Sequence, residues 1–126
     1  RVYFVEPVAP EQVVYYCMSA GGLQAATHRP SLNNYYATPN KLYEYMHAGL
    51  PVVSSDFPAL KEVVEGYSLG YTFDPKESES IAAAINLVLA DKRRYDTMRK
   101  NALEAARIFN WETESRKLLE IYRRLS

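Results

Sequence analysis

Asn40, Lys41, Glu44 and His47 are the residues whose types and spacing most directly suggest chemistry. On a helix, Asn40, Glu44 and His47 fall at i, i+4 and i+7 and share one side, with Lys41 at its margin. An asparagine and a lysine at the start of a helix favour an anion, because open first-turn amides and the helix dipole both attract negative charge. Glu44, one turn further in, is an acceptor suited to the vicinal hydroxyls of a sugar. A solvated polar face on a surface helix is the plainer and commoner reading of the same periodicity.

The element that must position these groups lies in residues 34–56, NYYATPNKLYEYMHAGLPVVSSD. Thr38 is a good N-cap residue, since its hydroxyl can accept a first-turn amide. Pro39 suits the first helical position, where no N–H is needed. Gly49 suits the left-handed residue that closes a helix. Leu42, Tyr45 and Met46 fall mostly on the face opposite Glu44. Pro51 then opens a short apolar strand, Val52-Val53, running into Ser54-Ser55-Asp56.

The rest of the chain alternates strand and helix. Val2 to Val8 is rich in β-branched and aromatic residues and reads as a buried strand. Glu11 to Ala20 has helical spacing and stops at Gly21-Gly22. Leu23 to Thr27 reads as a second strand, by its place in the alternation. His28 to Ala37 reads as a loop long enough to suggest function. After the strand at Pro51 to Ser54, a helix from Pro58 carries Leu60, Val63 and Val64 and ends near Gly66. Gly70 to Phe73 is the fourth strand. Ile81, Ala84, Ile85, Val88 and Leu89 mark an amphipathic helix. Tyr95, Met98, Ala102, Ala105 and Ile108 mark a second. Asn110 caps a third, with Glu112 and Glu114 early and Arg123 and Arg124 late, as the dipole prefers.

Four strands, each followed by helix, imply an α/β fold: a Rossmann-like three-layer domain with a parallel sheet and C-terminal helices. Such sheets bind ligands at the carboxyl ends of their strands. Residues 28–37 and the start of the helix carrying Glu44 both follow a strand, so their first turns are expected at that edge.

Composition removes several classes. The 126 residues suit one domain, and 15 basic residues balance 15 acidic ones, so bulk charge gives no nucleic-acid or anionic-membrane footprint. The single cysteine, Cys17, excludes an internal disulfide and sits in an apolar pattern that favours packing over nucleophilic chemistry. No apolar run reaches the roughly 20 residues that span a bilayer. There is no GxGxxG and no Walker loop, and neither His28 nor His47 has metal-ligand spacing around it. His28 beside Arg29 reads as a solvated loop histidine before a ligand contact, and His47 as a partner of the helix C-terminus before a base. No catalytic set is readable. Eleven tyrosines is a high count, and Tyr15, Tyr35, Tyr36, Tyr43 and Tyr45 lie in or near the central stretch. The chain opens at Arg1 directly into a strand pattern, which suggests a fragment of a longer polypeptide.

The run ATPNKLYEYMHAGLPVVSSD resembles the donor-site signature of the family 4 retaining glycosyltransferases, which have the two-lobed GT-B fold. Glu44 matches the family's glutamate, Ala48-Gly49 its small pair, and Pro51-Val52-Val53 the strand that follows. VYFVEPVAPEQVVYYCMSA resembles the preceding strand–helix unit, Asp74 to Ile85 the segment after it, and Asn110-Trp111-Glu112 with the final helix the family's C-terminal end. The resemblance covers essentially the whole chain.

It implies the donor-binding C-terminal lobe of a GT-B enzyme, truncated at its N-terminus, over residues 1–126. Glu44 would hold ribose hydroxyls, and amides around Thr38, Asn40, Lys41 and Leu42 would approach the diphosphate. Tyr36 stands where the family's usual pattern has a second glutamate, eight positions before Glu44, that contacts the transferred sugar; it is the candidate sugar contact. Ala37-Thr38-Pro39 replaces the family's glycine-bearing approach. The implied reaction is transfer of a hexosyl group, with retention, from a nucleotide-diphosphate sugar to a glycan, polysaccharide or lipid-linked acceptor held by another lobe. No cofactor or metal is expected, no catalytic residue lies in this stretch, and the lobe alone is expected to be inactive. The expected setting is cytoplasmic, peripheral at a membrane where acceptors are lipid-linked. A nucleotide-sugar epimerase of the same architecture and a non-catalytic α/β interaction module are the competing readings.

Overall fold

Val52 and Val53 sit at the centre of the domain and point to opposite faces of one strand, so each seeds a separate core. The computed structural model describes residues 2–22, 24–26 and 28–125. Among them, β1 (Gln24–Ala26), β2 (Val52–Ser55) and β3 (Gly70–Phe73) form one parallel sheet in the order β1-β2-β3. Gln24 pairs with Val52, and Val52 with Gly70. The helices are α1 (Val13–Ala20, entered through a 3-10 turn at Pro10–Gln12), α2 (Leu32–Tyr36), α3 (Asn40–His47), α4 (Pro58–Gly66), α5 (Ser78–Leu89), α6 (Lys92–Ala106) and α7 (Trp111–Leu125).

One face of the sheet packs Val52 against Leu42 and Met46 of α3, Leu60, Val63 and Val64 of α4, and Ala102 and Ala105 of α6. The other packs Val53 and Phe73 against Ala84 and Val88 of α5 and Met98 of α6. Helices therefore cover both faces, as parallel strands require, and α6 contributes to both cores.

Three side chains of α6 reach the turn that precedes each strand. Tyr95 Oη donates to Gly22 O (2.6 Å), Arg99 Nε to Gly49 O (3.1 Å) and Asn101 Nδ2 to Ser68 O (3.1 Å). The amino edge of the sheet is thus strapped from end to end. Two glycines there are constrained. Gly49 has φ +64°, the left-handed closure expected of it, and a Cβ would press on Leu103. Gly70 lies so close to Val52 O that a Cβ would overlap that carbonyl.

Several sequence expectations are corrected. Residues 2–8 form no strand; Val2, Tyr3, Phe4 and Val5 lie in solvent, because β propensity without a neighbouring strand or a packing surface has nothing to stabilise it. The described sheet therefore has three strands and not four. The second expected strand appears as Gln24–Ala26; Leu23 and Thr27 lie outside the described residues. The expected loop at 28–37 contains α2, whose N-cap Ser31 accepts from Asn34 N at 3.2 Å. The α3 N-cap is Pro39 in extended conformation, not Thr38. Elsewhere the elements fall where the periodicity puts them, including Asn110 Oδ1 accepting from Thr113 N at 2.8 Å at the start of α7. Ile108, expected on the packed face of α6, lies beyond its end and is exposed.

Candidate functional site

Ser55, the last residue of β2, is fully buried at the carboxyl edge of the sheet. Its Oγ accepts from His28 N (3.0 Å) and donates to His28 O (3.3 Å). The segment after β1 is thereby tied to the end of β2, just past the last ladder pair, Ala26 with Ser54. The segment is also folded on itself. Asn34 Nδ2 donates to Arg29 O (2.8 Å), and the Tyr35 ring stacks on buried Phe57 at 4.6 Å and 27°. Phe57 is in turn the N-cap of α4, so α2 rests on the helix that follows β2. Asp56 N donates to Phe73 O (2.9 Å), carrying the β2–β3 pairing one residue past the strand.

The segment delivers the chain to α3 with its N-terminus at this edge. No side chain caps that end. Thr38 Oγ1 accepts instead from Tyr43 Oη (3.0 Å), which explains its loss as a cap. Leu42 N closes the first turn on Pro39 O (3.0 Å), and the Leu42 side chain is wholly buried. The amides of Asn40 and Lys41 are then the first-turn donors available to an anion. Asn40 is exposed and Lys41 half-buried.

The polar face of α3 divides in two. Asn40, Tyr43 and His47 form one wall of a cleft of about 770 Å³, opposite Phe109, Trp111 and Glu112. His47 Nδ1 donates to Tyr43 O at 2.8 Å, the helix-end role its position suggested. Glu44, half-buried, is turned away from that cleft toward α1. Burial raises the Cys17 thiol pKa, and the Glu44 charge raises it further. Tyr45 is raised by burial first, then by Cys17 and Glu44. A protonated thiol beside a carboxylate agrees with inert packing for Cys17. Tyr36 ends α2 with its ring mostly in solvent.

A second, smaller cleft of about 310 Å³ lies at the carboxyl edge, lined by His28, Arg29 and Pro30 on one side and Phe73, Pro75 and Ile81 on the other. Among the described residues no group of three or more His, Cys, Asp or Glu could hold a metal ion, and no helix is long and apolar enough to cross a membrane.

Of the candidate residues, Asn40, Lys41, Leu42 and Glu44 lie on α3, Thr38 lies two residues before it, and Tyr36 ends α2. Sequence reasoning missed Ser31, Asn34, Tyr35 and Ser55, which shape the approach. Ser31, a residue type favoured at the N-cap, was a readable start signal for α2. Nothing local marks Ser55, whose partner is 27 residues away.

Comparisons with known proteins point to one family. Residues 30–105, more than half of the chain, match the family model described as glycosyl transferases group 1. Over 123 residues the chain is 30% identical to a D-inositol 3-phosphate glycosyltransferase of a Nocardioides species, covering 98% of this chain and 26% of that protein. A sucrose-phosphate synthase from Thermosynechococcus elongatus superposes with a TM-score of 0.81 at 29% identity, covering 99% of this chain and 30% of that one. The chain thus spans 26% and 30% of the lengths of these two relatives.

Proposed function

This chain belongs to the glycosyl transferases group 1 family, and we propose that it forms the nucleotide-sugar-binding lobe of a two-lobed glycosyltransferase. The reaction moves a hexosyl group from a nucleotide-diphosphate sugar to a glycan, polysaccharide or lipid-linked acceptor bound by a further lobe, with retention at the anomeric carbon. Two relatives, a glycosyltransferase and a sucrose-phosphate synthase by name, support sugar chemistry. The observation that carries the reading is the start of α3: a helix end with no side-chain cap at the carboxyl edge, with Glu44 one turn further on.

Each group has a task suited to its chemistry. The Asn40 and Lys41 amides meet the diphosphate, where the helix dipole offsets negative charge without a cation. The Glu44 carboxylate accepts two ribose hydroxyls through charge-assisted hydrogen bonds. Thr38 and Leu42 act through the backbone that shapes the turn, since the Thr38 hydroxyl and the Leu42 amide are already engaged. Tyr36 contacts the transferred sugar after a rotation of its exposed ring. The enzyme works in the cytoplasm, at the membrane face when its acceptor is lipid-linked.

Titration of the intact enzyme with uridine and guanosine diphosphates and their sugar conjugates tests this. Glu44→Ala is expected to weaken donor binding by about 1–3 kcal/mol, the scale of a lost charge-assisted hydrogen bond. Unchanged affinity in that variant overturns the ribose assignment. Binding should survive a chelator, and product should form only when an acceptor is present, which separates transfer from epimerisation.

A further inference from the structure

We propose that Ser55 is a positioning residue for the donor site, its hydroxyl setting the path of residues 28–39 from the sheet to the first turn of α3. This rests on the donor-lobe reading above and adds to it a residue that touches no donor. The β1–β2 ladder ends at the pair Ala26 and Ser54. Beyond it the backbone of residue 28 must leave the sheet, and its N–H and C=O need new partners. One hydroxyl serves both: Ser55 Oγ accepts from His28 N at 3.0 Å and donates to His28 O at 3.3 Å. Ser55 is wholly buried, so water does not replace it when it is removed.

The consequence reaches the site because the segment is folded on itself between its two anchors. Asn34 Nδ2 to Arg29 O and the Ser31 cap join the segment to itself. Tyr35 on Phe57 holds its far end to α4. The Ser55 bridge holds its near end, where His28, Arg29 and Pro30 line the cleft of about 310 Å³. Released there, the segment pivots on the Tyr35 stack and the open amides of Asn40 and Lys41 lose their fixed place. A serine with both hydrogen-bonding capacities is required; alanine has neither, and threonine retains both.

The test compares the intact enzyme with its Ser55→Ala, Ser55→Thr and Glu44→Ala variants. In Ser55→Ala, the His28 amide should exchange with deuterium at least about ten-fold faster, and donor KM should rise about five-fold with kcat little changed. Ser55→Thr should restore both. An unchanged His28 exchange rate overturns the bridge whatever the donor result. Faster exchange with unchanged KM overturns the positioning role. Should Ser55→Ala fail to fold, Ser55→Cys takes its place, its weakly bonding thiol standing where the hydroxyl was: faster His28 exchange with raised donor KM supports the proposal, and wild-type exchange or unchanged KM overturns it. If Glu44→Ala leaves donor affinity unchanged, the ribose assignment fails, and if the intact enzyme binds no nucleotide-sugar donor the donor-lobe reading fails, while the exchange measurement still decides whether Ser55 fixes the segment.

Discussion

The two edges of the sheet are held in different ways. At the amino edge a single helix, α6, bonds to the turn before every strand through Tyr95, Arg99 and Asn101, and Gly70 lets β3 approach Val52 at backbone contact. At the carboxyl edge the connection from β1 to α3 carries a hydroxyl bridge, an aromatic stack and local caps. The amino edge is built from long, redundant reaches. The carboxyl edge leaves a helix end uncapped and backbone amides open, which is what a ligand needs and what a stable fold alone would avoid. The long-range straps are concentrated at the amino edge.

The sharpest way to break the contrast is at Gly70. Gly70→Ala forces a Cβ into Val52 O, a backbone atom that cannot swing aside. A loss of about 4 kcal/mol or more, or failure to fold, is expected in a thermal melt. Arg99→Ala should cost less, about 1 kcal/mol for one hydrogen bond to the buried Gly49 carbonyl. Its donor affinity should match the wild type; a shift would show that the two edges communicate through α3.

The smallest effect is set by pH. Cys17 and Tyr45 have pKa values raised above 9.0 and 10.0, by burial first and by neighbouring charge second. Both are held neutral in the fold, so their contribution is complete below the unfolded values. It is lost as pH rises through the raised folded values, because the unfolded chain ionises first. Urea midpoints should fall between about pH 8 and about pH 11, and Cys17→Ala should flatten that slope.

Legibility in the sequence followed the range of the interactions. α3 was readable at its C-terminus because Gly49 needs no partner to adopt φ +64°. Its N-terminus lies one residue later than the sequence suggests, since the Thr38 hydroxyl, a sound cap in isolation, is taken by Tyr43 across the first turn. The amphipathic helices α5 and α6 were plain from period alone. Val2 to Val5 had every local mark of a strand and found no neighbour among the described residues. The candidate residues on α3 were legible through the family motif. The division of their face, with Glu44 toward α1 and Asn40, Tyr43 and His47 on a cleft, depends on α1 and α7 and has no local signature. The three bonds of α6 span 73, 50 and 33 residues and leave no trace in spacing.

Those spans also set an order of events during synthesis. The bonds to Gly22, Gly49 and Ser68 cannot form until Tyr95, Arg99 and Asn101 have left the ribosome, and Ala102 and Ala105 complete the core around Leu42 and Met46 only then. A nascent chain that has made all three strands but not α6 carries parallel pairings of high contact order with an uncovered apolar face. The window between the emergence of β3 and that of α6 is therefore when this lobe most needs a chaperone.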